Sequence, residues 1–196
     1  MTKYEKVFSD FEVKETSIKF SSDKSGNAEK IGCVGSMEES FNVKTITKKC
    51  EGTVVKNRVK SDGSGELKLS LHMRYDLYVK TFGMIFEELK SGVYAYGSNS
   101  KHEEFTLTAL VLDEDNVKKY IAYPNCVASS GIAKKIENGA EEVAEMELTI
   151  AIARDEHGNS KYEAIESELI DEEIKTNWLT KFNYDLVKKT VGGGLI

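Results

Sequence analysis

Glu145-Met146-Glu147-Leu148-Thr149-Ile150-Ala151-Ile152, residues 145–152, alternates without a break. Met146, Leu148, Ile150 and Ile152 fall on one side, and Glu145, Glu147, Thr149 and Ala151 on the other. A period of two with one apolar face is the signature of a half-buried strand. Upstream, Phe105, Leu107, Ala109 and Val111 alternate with Thr106 and Thr108 in the same way. Asp113-Glu114-Asp115-Asn116 then supplies turn-forming side chains. After it Val117, Ile121 and Tyr123 resume the alternation, which predicts a hairpin partner. Residues 103–154 therefore predict successive strands of one sheet.

Working outward, Leu67, Leu69, Leu71 and Met73 alternate with Glu66, Lys68, Ser70 and His72, another strand. The period then changes to three and four over Tyr75, Tyr78, Val79, Phe82, Ile85, Phe86 and Leu89, which predicts a helix ending at Ser91-Gly92. Phe11, Val13, Ile18 and Phe20 suggest a first strand pair bending near Glu15-Thr16, and Phe41, Val43 and Thr45 a further strand. Residues 48–65 are basic, then rich in Ser, Asp and Gly, and read as a mobile loop. Tyr162 to Ile165 reads as a short return strand. Ile170, Ile174, Trp178 and Phe182 recur every four residues behind Asp171, a candidate helix cap. Residues 1–10 read as an arm, and Gly192-Gly193-Gly194-Leu195-Ile196 as a flexible tail within a 168–196 extension.

A chain of 196 residues fits one domain, 1–196, with 40% hydrophobic and 31% charged residues. The net charge of -6 argues against a protein that grips nucleic acid. No apolar run is long enough to span a membrane. Met1 to Lys6 lacks a signal-peptide core, so synthesis and retention in a cytoplasm are expected. Cys33, Cys50 and Cys126 form no CxxC pair, which argues against a disulfide framework or a zinc site. His72, His102 and His157 lack metal-motif spacing, and no nucleophile elbow or glycine-rich phosphate loop is present. The chain is expected to be a non-enzyme with no cofactor, no metal and no catalytic residue. The fold class is mainly β (α+β), with one convincing helix in the first half.

The order of elements resembles the major tail proteins, or tail tube subunits, of long-tailed phages of Gram-positive bacteria. The likeness runs through Tyr94-Ala95-Tyr96-Gly97, Phe105 to Val111, Lys119-Tyr120-Ile121-Ala122-Tyr123-Pro124-Asn125-Cys126-Val127-Ala128, Gly139 to Leu148 and Tyr162-Glu163-Ala164-Ile165, with Glu66 to Leu89 upstream. It implies a β-sandwich or barrel-like fold with one flanking helix and extended loop and terminal arms, in a virion tail component assembled in the bacterial host cytoplasm. Copies would close into rings, hexameric in such proteins, that stack into a channel for DNA ejection. The implied partners are the chain itself, tape measure, tail terminator and distal tail proteins, with DNA passing unbound and no membrane contact. A channel should be neutral to acidic, since each cation that meets a phosphate adds affinity. Thr106, Thr108, Glu145, Glu147, Thr149 and Ala151 are the expected channel-lining residues. Lys56, Arg58, Lys60 and Asp62 of the loop, with Trp178 and Phe182 of the terminal stripe, are the expected inter-subunit residues. The competing reading is a β-sandwich module that binds carbohydrate or protein through its loops.

Overall fold

In the computed structural model, residues 3–189 are described except 25, 85, 86 and 140. The expected tail at 192–196, Met1 and Thr2 of the arm, and Ile85 and Phe86 of the expected helix lie outside the described residues. The chain forms β1 (Glu12–Phe20), β2 (Glu29–Lys30), β3 (Gly32–Cys50), β4 (Thr53–Met73) and helix α1 (Tyr75–Thr81). It continues as β5 (Glu104–Leu112), β6 (Lys118–Ala128), β7 (Met146–Ala153) and β8 (Tyr162–Ile165). A 3-10 turn (Glu166–Glu168) and helices α2 (Glu172–Lys181) and α3 (Tyr184–Val187) complete it. The protein is mainly β, as expected.

All pairings are antiparallel, in the order β2-β1-β5-β6-β7-β4-β3, with β8 on the first half of β6. The two ends of that order, β2 and β3, are separated in the chain by Ile31 alone. Ile31 is fully buried, and its N–H donates to the Thr16 carbonyl at 3.0 Å. The sheet thus curls back to its own start as a barrel. Inward side chains from every wall fill one core: Ile18 and Phe20, Leu67, Leu69 and Leu71, Phe105 and Leu107, Tyr123, and Leu148 and Ile150. Helix α1 closes the lower end with Leu77, Tyr78 and Val79, followed by Phe82. A second apolar layer lies outside the barrel, where Trp178 and Phe182 of the α2 region cover Leu110, Tyr120 and Ala122.

Pro124 sits where the β5–β6 register slips between Phe105 and Leu107. A bulge tolerates a residue that cannot donate to the ladder. Its carbonyl accepts from the Thr106 hydroxyl at 2.8 Å. Several expectations change. The expected pair around Glu15-Thr16 is one strand, β1, with a bulge between Val13 and Glu15 in place of a bend. The helix expected to Leu89 stops at Phe82, because Gly83 turns left-handed at φ 59°; any other residue there would set its Cβ against the Lys101 carbonyl. Residues 48–65, expected as a loop, belong to the long β3–β4 hairpin. Its two-residue turn is Glu51-Gly52, both at positive φ.

Cys126 is 2% exposed and its thiol pKa is pushed up by burial, whereas Cys33 and Cys50 are exposed. The thiolate is the reactive form. A disulfide reagent should therefore titrate Cys33 and Cys50 in the native protein and reach Cys126 only after unfolding. Rapid labelling of all three in native buffer would contradict this core.

Candidate assembly surfaces

The outward face of β7 continues across β4 and β3. Ala151, Thr149 and Glu147 stand opposite Glu66, Lys68 and Ser70 of β4, which stand opposite Ser40, Glu38 and Ser36 of β3. Cross-strand partners share a face, so these nine residues form one polar surface without an aromatic ring. Its single cation, Lys68, is 3.4 Å from Glu66 and paired in register with Glu38. Glu147 accepts a hydrogen bond from Ser70 Oγ at 2.7 Å. The alternation of β7 is as the sequence implied, and Glu147, Thr149 and Ala151 sit together on this surface.

The other expected channel residues do not join them. Thr108 is 2% exposed, under α2, and its Oγ1 reaches the Leu179 carbonyl at 3.5 Å. Thr106 is half-buried and bonded within the bulge. Glu145 precedes the strand, and its carboxylate fills the space over Gly35, where a Cβ would collide with it. The outward side of β5 is therefore an internal layer and not a free face.

Trp178 and Phe182, expected between subunits, are also internal. Trp178 Nε1 donates to the Ile121 carbonyl at 3.1 Å, and its ring packs on Tyr120 and Phe182 at 5.8 and 4.9 Å. Burying both the ring and the indole N–H ties α2 to its own sheet. The cap is as the sequence implied: the Asp171 carboxylate accepts from the Glu173 N–H at 2.9 Å.

The third surface is the free half of the β3–β4 hairpin. The last β4 residue paired with β7 is Gly65, opposite Ile152, and the turn lies at Glu51-Gly52. Thirteen strand rises of roughly 3.3 Å carry that arm about 40 Å beyond the barrel. Every residue from Asn42 to Asp62 is exposed, including Lys56, Arg58 and Lys60. Asp62 lies at the arm's root, where its Oδ1 accepts from the Ser64 N–H and hydroxyl at 2.9 and 2.8 Å. Those bonds hold its carboxyl below the usual range. Beside the root, β3 has a second edge with no strand on it among the described residues. Between this edge and Asp10 to Val13 opens a cleft of about 490 Å³. Its floor holds Tyr123, whose hydroxyl donates to Glu39 Oε2 at 2.6 Å and whose pKa is pushed up by burial and by that carboxylate.

A group the sequence reading did not assemble surrounds the end of α1. Tyr75, Tyr94 and Tyr96 are each at least 40% exposed. Tyr75 packs edge-on against Tyr94 at 5.8 Å, and Tyr96 stacks on His102 at 6.0 Å. Only the fold brings Tyr75 beside residues twenty positions on.

No protein-family model and no curated protein matches the chain. Among solved structures, it is similar to a chain of the six-fold symmetrised anti-feeding prophage baseplate. That pair shares 11% identity over 84% of this chain and 97% of the other, at a TM-score of 0.43. It is also similar to a type six secretion system protein, 11% identical over 76% and 91% of the two chains, at a TM-score of 0.31. Among the described residues no helix is long and apolar enough to cross a membrane, and no cluster of His, Cys, Asp and Glu could hold a metal ion.

Proposed function

We propose that this chain is the structural subunit of a phage-type tail tube, whose copies close into six-membered rings that stack around a DNA channel. The observation that carries the reading is the long free edge of β3 beside a polar, acidic sheet face. An exposed edge is a template for another strand, and pairing it between copies would continue that face around a ring. The face then becomes the channel wall. Glu38 and Glu147 repel phosphates, Lys68 is paired with Glu66, and no aromatic among these residues offers a base a stacking partner. The order of strands from Tyr94 to Ile165, which resembles the major tail proteins, supports the same role. The role is structural and involves no catalysis. Tape measure, terminator and distal tail proteins are the further partners of such a tube.

The channel assignment is tested with E66K/E147K. The variant should still form tubes, because neither residue lies at the free edge of β3. Those tubes should retain duplex DNA at low salt and release it as salt rises. Tubes that ignore DNA at every salt concentration would place this face elsewhere.

One observation favours a second reading, a module that binds glycan or protein: the exposed Tyr75, Tyr94 and Tyr96. Such a module would remain monomeric at high concentration and lose its ligand with Y94A/Y96A.

A further inference from the structure

The barrel wall consists of two half-sheets with a weak join. β7, β4 and β3 form one half, in which β4 and β7 share seven register pairs. β1, β5 and β6 form the other, in which β5 and β6 share eight. Between the halves β6 and β7 share four, Asn125 to Ala128 against Ala153 to Ile150. The rest of that edge of β6 is taken by β8, which pairs with no strand of the other half among the described residues. On the opposite seam the Ile31 N–H meets the Thr16 carbonyl, and beyond that bond the cleft of about 490 Å³ keeps β3 apart from β1.

One side chain crosses the open end. Met37, Glu39 and Phe41 stand opposite Leu69, Leu67 and Gly65, so they share the inward face of β3. Met37 and Phe41 pack on the core. Glu39 is the charge in that apolar row, and a carboxylate there is costly unless donors meet it. Both donors come from the other half-sheet. The Tyr123 hydroxyl of β6 donates to Glu39 Oε2 at 2.6 Å, and Lys161 Nζ, just ahead of β8, to Oε1 at 2.5 Å. Lys161 also reaches Glu163 at 2.9 Å. Burial would lower the Lys161 ammonium, yet these two carboxylates hold it above the ordinary lysine value. The other side-chain bonds between the halves lie along the β6–β7 join or at the closed end, where Arg74 meets Glu29 at 3.0 Å and Lys80 meets Asp23 at 2.7 Å.

We propose that Glu39 is a latch, which closes the open end of the barrel and so fixes the angle at which the free edge of β3 is presented to a second copy. A closed ring needs one fixed rotation between copies. An edge carried on a half-sheet hinged at four rungs supplies that rotation only while the hinge is held. Glu39 is thus a positioning residue for assembly. The role in assembly rests on the tube-subunit reading above; the latch itself does not.

The test reads the width of the cleft. Spin labels at E12C and S36C, on its two walls, report their separation in a C33S/C50S background, by pulsed electron paramagnetic resonance. E39A should shift that separation to longer and broader values. Trp178 emission, which reads the α2 layer on β5 and β6, should stay unchanged. E39K/K161E exchanges the two charges and should return the separation toward the parent, as a coupled pair requires. K161M leaves Tyr123 as the remaining donor from the other half and should broaden the separation less. A separation in E39A equal to the parent's overturns the latch, and so does a widening that the charge exchange leaves in place. Where E39A loses Trp178 emission, and with it the fold, K161M decides, and an unchanged separation there overturns the latch. In the unlabelled chain E39A should lose tubes or scatter their diameters, and E39K/K161E should recover uniform ones. Uniform tubes from E39A overturn the role in assembly. A wild type that stays monomeric while E39A opens the cleft contradicts the subunit reading and supports the latch.

Discussion

Trp178→Ala should lower the unfolding free energy by about 3–5 kcal/mol, the usual cost of truncating a buried aromatic. The side chain is 2% exposed and is the largest in the layer between α2 and the sheet. Its loss leaves Tyr120 and Phe182 facing a void and strips the Ile121 carbonyl of its indole donor. Trp178→Phe refills most of the space and lacks the donor, so it should cost less than the alanine variant. Urea unfolding of the three proteins separates the packing from the hydrogen bond. An alanine variant as stable as wild type that no longer assembles would return Trp178 to an interface between subunits.

Gly32→Ala should be comparably damaging, by about 3 kcal/mol or more once backbone strain and steric overlap combine. Gly32 is where the chain passes from β2 to β3 and closes the barrel, with φ at 145°. A Cβ there would overlap the His72 carbonyl oxygen. That carbonyl cannot retreat, because His72 is paired with Cys33 and the adjacent Leu71 is held by Met146. Gly52→Ala is the control. Gly52 also has a positive φ, 82°, but a Cβ there meets nothing within 4 Å, so only the conformational cost of about 1 kcal/mol applies. Thermal melts of the two variants should therefore differ widely. Equal losses would mean that the β2–β3 crossing does not close the barrel.

Elements whose signal is local were legible in the sequence. β7 buries one face, so its alternation is visible; β8 is bounded by turn residues; Asp171 caps α2 through its own carboxylate. The arm was legible only in part. Phe41, Val43 and Thr45 read as a strand and lie in β3, but both faces of residues 42–62 meet solvent, so burial imposes no period on residues 48–62, and only the pairing of β3 with β4 reveals their strand. The end of α1 is set locally, by the left-handed Gly83 and the bonds from the Gly83 and Met84 N–H groups to Lys80 and Val79, but the apolar spacing that continues to Leu89 hides it. Alternation also tells which residues share a face but not what covers it. Thr108 is outward on β5 yet lies under α2, whereas Glu147 is outward on β7 and free. The outward residues of β7 and of β4, six of the nine on the candidate channel face, were thus readable, whereas the three of β3 and the register that joins the strands were not.

If this chain builds a tube by pairing with itself, as proposed, negative-stain electron microscopy shows it most directly. The purified protein, concentrated at low salt, should form hollow tubes or stacked rings of uniform diameter with an open centre; a preparation that holds only monomers at every concentration would contradict self-assembly.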